Sequence, residues 1–277
     1  MIRGEEMSSR LEATGVVPGT DVSYRVEGSG PDLVLAHGLG GLFHSWSAIR
    51  PMLARTHRVW EIAFPSFDSE TTHARHGNSV EDWSDDLARF FDHTRLERAV
   101  VIGNSIGGQV ASTFTHRHRE RVPALVLLAS SGLGENREGY SLFPGDSVRR
   151  LLRRLEEDVV RSILRTVFSR DEFFEHELPA IQERLSDRKW KLGLLGTARR
   201  VRDASILPLL PTLDLPTLMI SGADDRIVPV RFSRAAAPLL PHGELVVFED
   251  TGHAPQIERP AETHGKVMQF LAAAGWT

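Results

Sequence analysis

Four short runs of consecutive apolar residues constrain the fold of this chain more than anything else in it. They are Leu33-Val34-Leu35-Ala36, Val100-Val101-Ile102, Leu125-Val126-Leu127-Leu128 and Leu218-Met219-Ile220. A strand with one wet face alternates apolar and polar side chains, whereas a strand without alternation is covered on both faces, as in a parallel sheet. Amphipathic segments lie between the runs. In one, from Ser79 to about His93, Val80, Trp83, Leu87, Phe90 and Phe91 recur at helical spacing, and Ser79 with Asp82 fits a capping box. Trp83 reads there as a core residue. Strands alternating with helices predict right-handed βαβ units and an α/β fold with a doubly wound, mostly parallel sheet. Ahead of the first run, residues 11–17 and 21–27 read as two strands joined at Pro18-Gly19, and Gly28-Ser29-Gly30-Pro31 breaks the chain after them.

Between Gly132 and Pro208 the rhythm changes. The β-type runs stop, and charged amphipathic helices are expected at about 146–168, 171–185 and 187–202, before Pro208, Pro211 and Pro216 mark the return to the sheet. A chain of 277 residues suits one large domain with an insertion. The expectation is a core made of 1–131 and 208–277, with 132–207 a helical lid, or cap, over the functional site.

Charge and composition exclude several functions. The balance of 33 Lys+Arg against 37 Asp+Glu, net −4, offers no field for nucleic acid. Arginine clusters at Arg149-Arg150, Arg153-Arg154 and Arg199 to Arg202, but Glu156, Glu157 and Asp158 dilute the first, which reads as a solvated helix face. The absence of cysteine excludes disulfides, thiol catalysis and cysteine metal sites. His116 and His118 stand two apart on a helix and point in different directions, and His73 and His76 have no adjacent carboxylates, so no metal is expected. No Gly-rich phosphate loop with a Lys-Ser/Thr ending occurs, and no cofactor is expected. Met1 to Arg10 is polar and no run reaches the length of a membrane span, so the default expectation is a soluble, cytoplasmic protein with no membrane partner. Its partner would be a small-molecule substrate; oligomeric state is not legible.

The chemistry starts from Gly103-Asn104-Ser105-Ile106-Gly107, a G-x-S-x-G pattern directly after the second apolar run and before a helix expected from Ile106 to about His118. At a sharp strand-to-helix turn a serine is held strained with its hydroxyl exposed, and the flanking glycines remove Cβ atoms where strand and helix approach. A serine hydroxyl needs a base within hydrogen-bond reach, and the base needs an acceptor to orient it. His253, in Asp250-Thr251-Gly252-His253-Ala254-Pro255, follows an expected strand from Glu244 to Phe248, and catalytic groups gather at the carboxyl ends of parallel strands. The acceptor is Asp224 or Asp225, in the loop after Leu218-Met219-Ile220. Donors for an oxyanion are expected from the backbone N–H of Ile106 and from His37-Gly38-Leu39-Gly40-Gly41, with Leu39 N–H the choice there. His37 reads as a brace for that loop. Gly38, Asn104, Phe43 and Trp46 are candidates to line a substrate pocket, with Trp190 from the lid; Phe43 and Trp46 fit packing of the first helix against the sheet equally well, and Trp190 also fits a contact between lid and core.

The order Ser105, Asp225, His253, with His37-Gly38 upstream and a helical insertion between, resembles the α/β-hydrolase fold superfamily across nearly the whole chain. The resemblance implies that Asp225 is the acid. Gly-Asn-Ser-Ile-Gly-Gly and Gly-Ala-Asp-Asp-Arg-Ile-Val-Pro look most like the esterase, lactonase and meta-cleavage-product hydrolase branches. It implies a serine hydrolase that cleaves a carboxylic ester or lactone through an acyl-enzyme. The alternatives are hydrolysis of a carbon–carbon bond in a vinylogous diketone, or a non-catalytic small-molecule-binding member of the fold. Two features depart from the pattern. Ala254 stands where carbon–carbon hydrolases usually place tryptophan, and Ala63 to Ser69 lacks the usual Asp-x-x-Gly-x-Gly-x-Ser loop.

Overall fold

The computed structural model describes residues 13–20, 22–39, 45–64, 79–134, 157–175, 178–186, 197, 201 and 204–277. All four apolar runs become strands of one eight-stranded sheet. In chain order the strands are β1 (Ala13–Val16), β2 (Ser23–Glu27), β3 (Asp32–Ala36), β4 (Arg58–Ala63), β5 (Val100–Asn104), β6 (Leu125–Leu128), β7 (Thr217–Gly222) and β8 (Gly243–Phe248). Their spatial order is β1-β2-β4-β3-β5-β6-β7-β8. The leading hairpin forms as expected, with Val16 opposite Ser23 and Gly19 at φ 75° in its turn. β1–β2 and β2–β4 are antiparallel, and every pairing from β3 to β8 is parallel.

The helices cover both faces. Among the described residues they are α1 (Arg50–Leu53), α2 (Val80–Thr94), α3 (Ile106–Arg117), α4 (Glu157–Val167), α5 (Leu178–Ser186), α6 (Val230–Ala236), α7 (Pro255–Glu258) and α8 (Pro260–Ala273). One layer sets Val34, Ala36, Val101, Leu125, Leu127 and Met219 against α2 and α3, including Trp83, Leu87, Phe90 and Phe114. The opposite layer joins Leu33, Leu35, Val100, Ile102, Val126, Leu128, Leu218 and Ile220 to Trp46, Leu53, Val267 and Phe270. Each strand feeds both layers in turn, which is why its sequence shows no polar alternation; each such buried side chain contributes about 1.5–3 kcal/mol. α2 starts at the expected capping box: Ser79 Oγ accepts from Asp82 N at 3.1 Å, and Asp82 Oδ2 accepts from Ser79 N at 3.0 Å.

β4 carries no continuous apolar run, yet it lies inside the sheet between β2 and β3. Its polar residues are paired: Arg58 with Asp32, and Glu61 with Arg25 and Arg50. Strand order reverses at β3, which sits between β4 and β5. In such sheets ligands usually sit at the carboxyl ends of the strands that flank the reversal, here β3 and β5.

In the described part of the insertion between β6 and β7, α4 lies within the helix expected at 146–168. The helix expected at 171–185 is instead a 3-10 turn, Asp171–Phe173, followed by α5. Pro179 explains the break, since proline fits the first turn of a helix but not the middle of one. The helix expected at 187–202 lies almost wholly outside the described residues. Among the described residues no helix is long and apolar enough to cross a membrane.

Candidate active site

β5 delivers Ser105 to the carboxyl end of the sheet in a strained conformation. Its φ of 54° and ψ of −118° lie outside the regions open to most L-residues, and α3 begins at the next residue. The flanking glycines permit this turn. A Cβ on Gly107 would sit 2.1 Å from the Ala36 carbonyl oxygen, and one on Gly103 would sit 2.3 Å from the Gly107 carbonyl oxygen. The strain is held from behind by backbone bonds: Ser105 N donates to Leu128 O at 2.9 Å, and Ser131 N donates to Ser105 O at 3.1 Å.

β7 and β8 bring the other two groups. His253 Nε2 lies 2.9 Å from Ser105 Oγ, and His253 Nδ1 lies 2.8 Å from Asp225 Oδ2. A carboxylate oxygen accepts, so Nδ1 carries the proton and the Nε2 lone pair faces the serine hydroxyl. Asp225 is itself oriented, because its Oδ1 accepts from Ile227 N and Val228 N, both at 2.8 Å. Ser105, Asp225 and His253 are all buried, whereas Asp224 is exposed. Of the two candidate carboxylates, only Asp225 reaches the imidazole.

The His37-Gly38 loop lies directly against the serine. A Cβ on Gly38 would be 3.2 Å from Ser105 Cβ and 3.1 Å from Asn104 Oδ1. His37 holds the loop: Phe64 N donates to its Nε2 at 3.1 Å, so its Nδ1 carries the proton and donates to Gly38 O at 2.6 Å. Burial pushes the His37 imidazole below its ordinary value, against the opposing pull of the Gly38 carbonyl. No described residue accepts from the N–H of Leu39 or of Ile106, and Ile106 is the first residue of α3, where N–H groups have no intrahelical partner.

The other expected lining residues divide three ways. Asn104 is buried beside the serine, with Nδ2 donating to Leu128 O at 3.0 Å and to His253 O at 3.5 Å. Trp46 takes the packing alternative and does not line a pocket: it has no exposed surface and sits among Leu33, Leu35, Ile49 and Leu53 on the face away from α2 and α3. The chain entering α1 turns under the sheet, so this indole is a core side chain. Phe43 and Trp190 lie outside the described residues, as do Gly40, Gly41, His73, His76 and the loop from residue 65 to 69. Among the described residues no cluster of His, Asp and Glu could hold a metal ion.

The insertion meets the site at the histidine loop. Val160, Leu164, Phe168, Phe174, Leu178 and Ile181 form an apolar cluster that includes Ala254, with Leu39 and Ile257 packed against it. His253 N donates to Val167 O at 2.7 Å, at the end of α4. Glu258, which belongs to no sequence motif, accepts from Gly252 N at 3.0 Å and from Ser169 N at 2.9 Å. Its only sequence signal is a carboxylate five residues after His253. Arg165 on α4 is exposed and holds the Asp171 carboxyl below the usual carboxylate range, whereas the arginine cluster expected on a solvated face, Arg149 to Arg154, lies outside the described residues.

Comparison with known proteins agrees with this architecture. The chain is 29% identical over 274 residues to a 2-hydroxymuconate semialdehyde hydrolase of Pseudomonas sp. strain CF600, covering 94% of this chain and 93% of that one. It is 24% identical to a pimeloyl-[acyl-carrier protein] methyl ester esterase of Vibrio vulnificus, covering 91% and 98%. In structure it matches a meta-cleavage product hydrolase from Pseudomonas fluorescens IP01 with a TM-score of 0.80 at 24% identity, covering 95% of this chain and 98% of that one. The model of the alpha/beta hydrolase fold family matches residues 31–260, from the start of β3 to the start of α8. With an eight-stranded sheet, a strained serine after β5 and named hydrolases for relatives, the chain belongs to the alpha/beta hydrolase fold family and is a hydrolase.

Proposed function

We propose that this hydrolase cleaves a small carboxylic ester or lactone through an acyl-enzyme at Ser105. The observation that carries the reading is the continuous hydrogen-bond chain from Asp225 through His253 to Ser105. His253 takes the serine proton at Nε2 as Oγ attacks the carbonyl carbon, and Asp225 stabilises the imidazolium. The N–H groups of Leu39 and Ile106 hold the oxyanion, a contact whose loss typically costs about two to three orders of magnitude in turnover. His253 then returns the proton to the leaving alcohol and activates the water that releases the acid. Residues 132–207 serve as the cap of a core formed by 1–131 and 208–277, a reading supported by the packing of α4 and α5 with Ala254 in the histidine loop, and Gly38 and Asn104 lie beside the acyl group.

A second reading keeps the same residues and changes the bond: hydrolysis of a carbon–carbon bond in a vinylogous diketone. The likeness to the 2-hydroxymuconate semialdehyde hydrolase favours it. Against it, Ala254 gives the position after the base no aromatic side chain, and that position is enclosed by the cap cluster. A panel of short esters, lactones and ring-fission diketones, run on the wild type and on Ser105→Ala, decides between them. The first reading expects serine-dependent turnover of esters or lactones; turnover of diketones alone would transfer the assignment to the second.

A further inference from the structure

We propose that Glu258 is a positioning residue for His253, and that through Ser169 it makes alignment of the base depend on the seating of the cap helix. The proposal rests on the reading of His253 as the base. Glu258 is 4% exposed, and among the described residues no cation pairs with it. Its carboxylate is instead surrounded by donors. Gly252 N reaches both oxygens, at 3.0 and 3.1 Å, and Ala254 N reaches Oε1 at 3.3 Å. Ser169 N and Ser169 Oγ reach Oε2 at 2.9 and 2.6 Å.

These donors bracket the base. Gly252 and Ala254 donate to Glu258, while His253 N between them donates to Val167 O at 2.7 Å. Three consecutive N–H groups are thus fixed, by one carboxylate and by one carbonyl of the cap. With the backbone of residues 252–254 held, the imidazole has little freedom beyond rotation about its own side-chain bonds. The loop and the cap also touch closely: a Cβ on Gly252 would sit 2.5 Å from Val167 O and 3.0 Å from Ser169 N. The same turn reaches the acid loop, where Arg226 Nη1 donates to Arg165 O at 3.2 Å, next to Asp225. Burying a carboxylate is costly, and well-packed apolar side chains often hold a fold together as well or better. What the carboxylate adds at this position is direction: it accepts at once from the loop that carries the base and from the turn that ends α4.

The test is turnover per labelled serine in a graded series. A fluorophosphonate counts the competent serines, so a variant that merely folds less well loses sites but keeps its kcat per site. Glu258→Ala removes both halves of the clamp and lowers kcat per labelled serine about 10- to 100-fold, with KM within about twofold. Glu258→Gln keeps one acceptor toward the loop and meets Ser169 N with an amide, so its kcat lies between that of Glu258→Ala and the wild type. Ser169→Ala removes one cap bond and gives the mildest loss. If Glu258→Ala does not fold, the order wild type, Ser169→Ala, Glu258→Gln still decides. Per-site kcat values for Glu258→Gln and, where folded, Glu258→Ala within about twofold of wild type would overturn the proposal, whatever their melting temperatures. A wild-type chain not labelled at Ser105 is a separate failure: it removes the reading of the site itself, and this proposal falls with it.

Discussion

Gly222, at the end of β7, and Gly252, in the loop after β8, approach so closely that a Cβ on the first would lie 2.2 Å from the carbonyl oxygen of the second. The acid loop and the base loop start from these two residues, so their contact sets the reach of Asp225 to His253. Gly222→Ala meets backbone atoms, which cannot rotate away. We expect a loss of about 1–3 kcal/mol in stability, as for other overpacked sites. Because the separation is forced between the two loops, kcat should fall as well. Thermal unfolding and steady-state kinetics check both, and a variant with unchanged kcat would show that the loops do not depend on this contact.

Adjacent carboxylates give a sharper contrast. Asp225 is buried with Oδ2 on His253, while Asp224 is exposed. Asp225→Asn should lower kcat by about 10⁴-fold, because an amide no longer fixes the imidazole tautomer. Asp224→Asn should leave kcat nearly unchanged. Equal effects from the two substitutions would contradict the assignment.

His37 makes stability depend on pH in a defined direction. Its folded pKa is depressed below the ordinary 6.5, so the folded chain takes up a proton less readily than the unfolded chain does. Its contribution is complete above that ordinary value and is lost as pH falls toward the folded one. His264 is also lowered, first by burial and then by Arg55, and shares the window. Replacing His37 with glutamine should therefore reduce, without abolishing, the fall in denaturant-derived stability as pH drops below about 6.5. An unchanged slope would show that His37 is not held neutral.

The capping box of α2 offers a test of the fold alone. Ser79→Ala leaves Asp82 N without its acceptor and should cost about 1 kcal/mol, roughly 2–4 °C in melting temperature. Turnover should not change. A variant as stable as the wild type would mean that the helix start is set by the packing of α2 on α3.

The parts of this architecture that were legible in the sequence are those where one physical demand dominates. Two-sided burial shows in the runs of β3, β5, β6 and β7, and the helix start shows at Ser79 and Asp82. The serine turn was readable because strand, glycines and helix must follow in that order. β4 was obscured because Arg58 and Glu61 satisfy their charges on neighbouring strands, a pairing visible only after the sheet is assembled. Trp46 read equally well as core or as pocket lining, since hydrophobicity does not say which side of the sheet a loop will enter. Asp224 and Asp225 were distinguishable only by analogy, and burial separates them. Glu258 was invisible because its donors are backbone N–H groups, which every sequence has, together with a serine 89 positions away.

The central claim is that Ser105 is the nucleophile, activated through His253. Its most direct measurement is mass-spectrometric mapping of the chain after reaction with a fluorophosphonate. The account predicts a single adduct on the peptide that carries Ser105, absent in Ser105→Ala and strongly slowed in His253→Ala, together with loss of ester turnover in both variants. An adduct on another residue, or undiminished ester turnover by Ser105→Ala, would contradict it.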